Sequence, residues 1–313
     1  MNGLDICEAY YREYGEPMLQ GQFLALLPHI AVGLFGSGSE CFGFDDETSR
    51  DHDFEPGFII MLPGEDVVDR KAEFALERAY AKLPREFMGL SRQRMAPVGG
   101  ARHGVMRISD FLREKTGSDD GVLTVGQWLE TPANSLAEAV NGRIFHDGSG
   151  ELSRIRAGLV RYPDDIRRKK LAGHVLLAAQ AGQYNYLRCL KHGEAAAAQL
   201  AAIEFSRHAM SAAFLLNDVY EPYYKWSFRA MRELPRLPLL AELLEYLITT
   251  DNDGQMAQDK YDVIEGIAAD IIDELVEQNL TQANCGDLEK HAYSINDGIT
   301  DAGIRNMHIL AAV

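Results

Sequence analysis

The sequence predicts an α+β fold: a mixed sheet with flanking helices in residues 1–150, followed by an all-α helical bundle in 151–313. Three observations carry this. Short apolar, β-branched runs such as IAVGLF (30–35) and GFIIMLP (57–63) stop at Gly or Pro, as buried strands do. They alternate with segments of helical spacing. After about residue 150 such runs almost vanish and long Ala/Leu-rich stretches take over.

Taken in order, residues 4–29 read as helix in two pieces broken near Gly15 and Pro17. The runs at 30–35 and 57–63 are the first two strands. Residues 65–82 carry apolar side chains at helical spacing behind an acidic start, which suits a helix N-terminus. HGVMRIS (103–109) is a third strand, and GRIFHD (142–147) a fourth or an edge segment, with helices near 109–116 and 124–140 between them. DGSGE (147–151) marks the boundary. Beyond it, 164–192, 193–219, 236–249 and 258–280 are helical, punctuated by Gly193, Pro222 and the turn TTDNDG.

Composition excludes some functions. A net charge of −16 argues against non-specific binding along a nucleic-acid backbone. It fits a cationic substrate or simply an acidic surface. The four cysteines are scattered without CxxC spacing, which predicts reduced thiols and neither a disulfide framework nor a zinc site. The N-terminus lacks the pattern of a signal peptide and no apolar run spans a bilayer, so a cytoplasmic protein without membrane partners is expected.

The chemistry concentrates in GSGSECFGFDDETSRDHD (36–53), between the first two strands. A glycine at a strand end lets the backbone approach a phosphate, and the following N–H groups and serine hydroxyls can donate to its oxygens. At the other end, period two places Asp51 and Asp53 on one face of the entering strand. Two such carboxylates can share Mg²⁺, which takes oxygen ligands together with substrate phosphates. His52 falls on the opposite face and reads as structural. The acids Asp45 to Glu47 read as loop; they do not follow an EF-hand pattern. No lysine follows GSGS as in a P-loop, and no Rossmann fingerprint or nucleophile elbow is present.

Gly36-Ser37, a spacer, and Asp51-x-Asp53 resemble the signature of the nucleotidyltransferase superfamily with a DNA polymerase β-like core. The longer string FGSGSECFGFDDETSRDHDFEPGF, with NGRIFHD, RYPDDIRRKKLA, QYNYLRCL and LLNDVYEPYYKW, resembles an uncharacterised bacterial family of such enzymes with an appended helical domain. The resemblance implies a nucleoside triphosphate, ATP foremost, held by Gly36, Ser37 and Ser39, with Mg²⁺ on Asp51 and Asp53. The expected reaction moves a nucleoside monophosphate to a hydroxyl of a small-molecule or protein acceptor, in a cleft closed by the helical domain. Superfamily members place a third carboxylate on a neighbouring strand, but GVMRIS offers Arg107 there. Asp110 is the candidate that follows, with Asp147 and Glu151 behind it. Without a third acid the alternative is a non-catalytic nucleotide sensor or an antitoxin-like partner protein.

Other residues keep two readings. Arg154, Arg156, Arg161, Arg167, Arg168, Lys169 and Lys170 either reach phosphates or form a solvated face paired with Asp164 and Asp165. Arg102, Arg107 and Arg113 share that ambiguity. In YEPYYKWSFR (220–229), Lys225 can hold a phosphate beside aromatics that stack on a base, or the segment is a packing seam.

Overall fold

The computed structural model describes residues 2–46, 55–92 and 103–313. By contacts the chain divides into two compact units, one of 1–127 with 131–160 and one of 128–130 with 161–313. The fold is α+β with a mixed four-stranded sheet.

In the first unit, helix α1 (Gly3–Tyr10) runs through a π-helical turn (Tyr11–Gly15) into α2 (Glu16–Gln22). The expected break is therefore a widened turn, with Gly15 itself helical. The wider turn accommodates Pro17, which has no N–H to donate, and Gly15 has a packing reason: a Cβ there would stand 2.5 Å from the Phe58 ring.

Strand β1 (Ala31–Leu34) lies between β2 (Ile59–Leu62) and β6 (Arg143–Asp147), antiparallel to both. On the outer side of β2 runs β5 (Gly104–Arg107), parallel to it, giving the order β5-β2-β1-β6. A short hairpin, β3 (Glu86–Phe87) with β4 (Leu90–Ser91), stands apart. All residues of β1 and β2 are buried, as their unbroken apolar sequences require. Val32, Leu34, Ile60 and Leu62 join one core with Tyr10, Tyr11, Leu19 and Leu76. Each such large side chain, fully buried, stabilises by ~1.5–3 kcal/mol.

Helix α3 (Arg70–Ala81) begins later than the acidic run at 65 predicts, because the Asp69 side chain caps it by accepting from Ala72 N–H. Helix α4 (Ile108–Thr116) follows β5 directly. The helical stretch predicted at 124–140 is two helices, α5 (Val125–Glu130) and α6 (Ala133–Val140), divided at Thr131-Pro132. Helix α7 (Glu151–Leu159), after the Asp-Gly-Ser-Gly-Glu turn, belongs to the first unit.

The second unit is helical, without strands: α8 (Asp164–Ala178), a π-helical stretch (Ala179–Tyr186), α9 (Leu187–Lys191), α10 (Ala195–Leu216), α11 (Tyr224–Met231), α12 (Leu240–Thr249), α13 (Gly254–Glu277), α14 (Leu288–Asp297) and α15 (Ala302–Asn306). Its centre is α10, whose Ala198, Ala202, Ala209, Ala212 and Ala213 are buried and admit close neighbours. Three buried lysines tie its loops. Lys169 Nζ donates to Asn296 Oδ1 at 2.8 Å and Met307 O at 2.7 Å. Lys260 reaches Gln199 Oε1 at 2.6 Å and Thr250 O at 2.8 Å, and Lys170 reaches Leu129 O at 2.7 Å and Ala312 O at 3.3 Å.

Burial pushes Lys170 from the ordinary 10.5 down to about 8. Between those values the unfolded chain holds its proton while the folded one releases it, so this residue's contribution to stability rises with pH. Urea unfolding of the native chain and Lys170→Met from about pH 8 to about 10.5 is expected to show the difference shifting toward the native chain, by at most roughly 3 kcal/mol. A difference that is flat across this window is the contrary result.

Candidate functional site

The turn after β1 is built around one peptide. Gly36 N–H donates to Asn141 Oδ1 at 2.8 Å, and Asn141 Nδ2 donates back to Gly36 O at 2.8 Å. The side-chain amide thus brackets the glycine as a second strand would. Gly36 has φ +101 and Gly38 φ +131, values that favour glycine. Asn141 reaches this position because Gly142, at φ +68, lets its strand press on β1: a Cβ there would lie 2.1 Å from Leu34 O. Gly142 N–H also donates to Cys41 O at 2.9 Å. Ser37 is exposed, and Ser39 is half-buried at the start of a tight turn where Phe44 N–H donates to Ser39 O at 2.8 Å. Asp45, expected only as loop, anchors this segment: its Oδ2 accepts from Gly3 N–H at 2.8 Å.

Topology determines what lies near the turn. Because β1 and β2 are antiparallel and β2 and β5 parallel, the end of β1 and the starts of β2 and β5 share one end of the sheet. Asp51, His52 and Asp53 precede β2 in sequence but lie outside the described residues, as does Arg102. Among the described residues no group of three His, Cys, Asp or Glu can hold a metal ion.

The third acid is absent from β5, which reads Gly104-Val105-Met106-Arg107. Arg107 is at the far end, donating to Pro63 O at 2.7 Å and paired with Glu73. Asp110 is exposed and paired with Arg113 at 2.9 Å. Its neighbour Phe111 is the residue that meets Phe35 and the Gly36 turn. Asp147 pairs with Ala31, at the opposite end of the sheet from Gly36, and accepts from Ser153. At the start of β5 stands His103, packed on Gly57, with Nδ1 3.5 Å from Glu55 Oε1. Its Nε2 is buried without a hydrogen-bond partner among the described residues.

The basic cluster separates residue by residue. Arg161 pairs with Asp218, Arg168 with Asp164, and Arg167 donates to Leu215 O and Gln278. Lys169 and Lys170 are held by carbonyls, and Arg154 is exposed. Arg156 differs. It is 9 % exposed, donates one N–H to Asn141 O, and its guanidinium carbon lies 5.1 Å from the Phe35 ring centroid. No carboxylate pairs with it among the described residues. Burial pushes it down to about 10, with the Cys41 thiol opposing.

The aromatic segment also divides. Tyr220 is buried edge-on to Tyr162 at 4.8 Å, whereas Tyr223 and Tyr224 are exposed. Lys225, exposed, has its ammonium 4.9 Å from the Trp226 ring centroid. Glu221 is held by Ser211 at 2.6 Å, and burial raises its pKa.

Sequence reasoning missed Asn141, His103 and Glu55. The pair Asn141-Gly142 before a strand signals a turn but not what the amide clasps. Glu55 continues the alternation of Asp51 and Asp53 in sequence.

Residues 128–227 match the model of a family described as a domain of unknown function, DUF4037. The match covers Asn141 and Arg156 but not the Gly36 turn they support. No curated protein and no solved structure matches the chain. No helix among the described residues is long and apolar enough to cross a membrane.

Asn141→Ala removes both bonds to Gly36 and is expected to cost about 1–3 kcal/mol in urea unfolding. Gly142→Ala combines strain at positive φ with a clash and is expected to cost about 2 kcal/mol or more. Native stability in both variants would show that the turn does not depend on this clasp.

Proposed function

We propose that the chain is a nucleotidyltransferase that moves a nucleoside monophosphate from a triphosphate to a hydroxyl of a small-molecule or protein acceptor. The observation that carries this reading is the Gly36 turn: a strand end with two glycines at positive φ, its peptide clasped from both sides. Asp51 and Asp53 precede the adjacent, antiparallel strand in sequence. Backbone N–H groups and the hydroxyls of Ser37 and Ser39 suit phosphate oxygens. The nucleotidyltransferase-type core itself is part of the proposal, supported by the mixed sheet and its antiparallel first pair.

In this reading the acceptor hydroxyl oxygen attacks the α-phosphorus and gives up its proton to solvent, a new O–P bond forms, and pyrophosphate leaves with the electrons of the broken bond. Asp51 and Asp53 would hold magnesium, which when bound neutralises phosphate charge. The protein's own part is to fix the triphosphate against the turn and orient the acceptor. ATP is the first nucleotide to try.

A second reading, a nucleotide sensor or antitoxin-like partner without turnover, draws on β5, which carries no acid, and on Asp110, which is engaged by Arg113. Incubation with labelled triphosphates and Mg²⁺ separates the two. Pyrophosphate release or labelled adduct is expected from the native chain, and Asp53→Asn is expected to lose it. Undiminished turnover in that variant rules out the metal role. Saturable nucleotide binding by calorimetry with no product points to the sensor.

A further inference from the structure

The second unit shows how this chain treats buried cations: Lys169, Lys170 and Lys260 each donate to at least two carbonyl or amide oxygens. Arg156 is buried to a comparable degree yet among the described residues has one such acceptor, Asn141 O, for a group with five N–H donors. A buried charge without its own counter-charge is costly and is retained where a partner of opposite sign completes it.

Its surroundings locate that partner. Arg156 lies against Phe35, the residue before Gly36, and bonds the backbone of Asn141, whose side chain clasps Gly36. Asp218 and Asp164, which pair with Arg161 and Arg168, are engaged elsewhere.

We propose that Arg156 is the anion-binding residue of the Gly36 turn, taking the terminal phosphates of a nucleoside triphosphate with its unused N–H groups. The inference rests on the reading of the turn as phosphate-holding, but not on transfer chemistry. A planar guanidinium matches two phosphate oxygens at once, which an ammonium cannot do. Its contact with Asn141 links anion binding to the clasp: ligand charge would fix the arginine, and the arginine fixes the carbonyl beside the turn.

The test is calorimetric binding of inorganic tripolyphosphate and of ATP to the native chain, Arg156→Met, Arg156→Lys and Arg154→Met. Saturable binding of both ligands by the native chain is expected. Arg156→Met should weaken both by tenfold or more. Arg156→Lys, which keeps the charge but not the fork, should weaken both by at least threefold. Arg154→Met, at an exposed neighbour, should bind as the native chain does. If Arg156→Met does not fold, judged by its melting transition, Arg156→Lys decides. Failure of the native chain to bind tripolyphosphate overturns the assignment, as does unchanged binding in the folded Arg156 variants. Arg156-dependent binding without pyrophosphate release from any triphosphate leaves the assignment standing and removes the transferase reading instead.

Discussion

The clasp between Asn141 and Gly36 is the interaction on which the candidate site depends. It joins positions 105 residues apart and replaces, at the strand's end, the ladder bonds that β1 and β6 make along their length. A peptide at positive φ is not held by its own neighbours, so without an outside partner it would fluctuate among alternatives. Two bonds from one planar amide fix both its N–H and its carbonyl. That fixes the direction in which the following residues leave the strand. The close approach at Gly142 makes the clasp possible, and the irregularity in the β1–β6 register near Gly33 adjusts the strands to it.

Buried charge sets the second constraint. In the helical unit lysines serve as donors to two or three oxygens each, closing loops and the C-terminal segment onto α8 and α13. Two of them, Lys169 and Lys170, belong to the cluster that from sequence could reach phosphates or form a solvated face. Burial gives them another role: ammonium groups surrounded by carbonyl oxygens are structural ties. The same comparison isolates Arg156, because an arginine given one carbonyl and an aromatic face has donors to spare.

Much of the fold was legible because its signals are local. The buried strands stood out as unbroken apolar runs, and Gly193 marked a helix end, whereas the Asp69 cap and the division at Pro132 were not read. The π-helical turns were not legible, since Gly15 and Pro17 signal a break equally well when only sequence is read. At the site, Gly36 and Ser37 were readable from type and position. Asn141 was not, because its role follows from a pairing between distant strands that no local pattern encodes. Arg156 was visible only as one of seven basic residues until burial separated it from the rest.

The absence of an acid on β5 weighs less than it first suggests. Phosphoryl-type transfer leaves little covalent chemistry to the protein, and positioning with charge neutralisation carries most of the acceleration. A general base contributes typically 10²–10⁴-fold, about 3–5 kcal/mol, against about 7–11 kcal/mol available from orientation. On the proposed reading, a chain that keeps a clasped glycine turn while lacking the strand acid therefore retains the larger share of what the reaction needs. His103, beside Glu55 at the start of β5, occupies the end of the sheet where that acid is sought, with one ring nitrogen unbonded among the described residues. The lack of an acid on β5 is therefore compatible with the proposed chemistry.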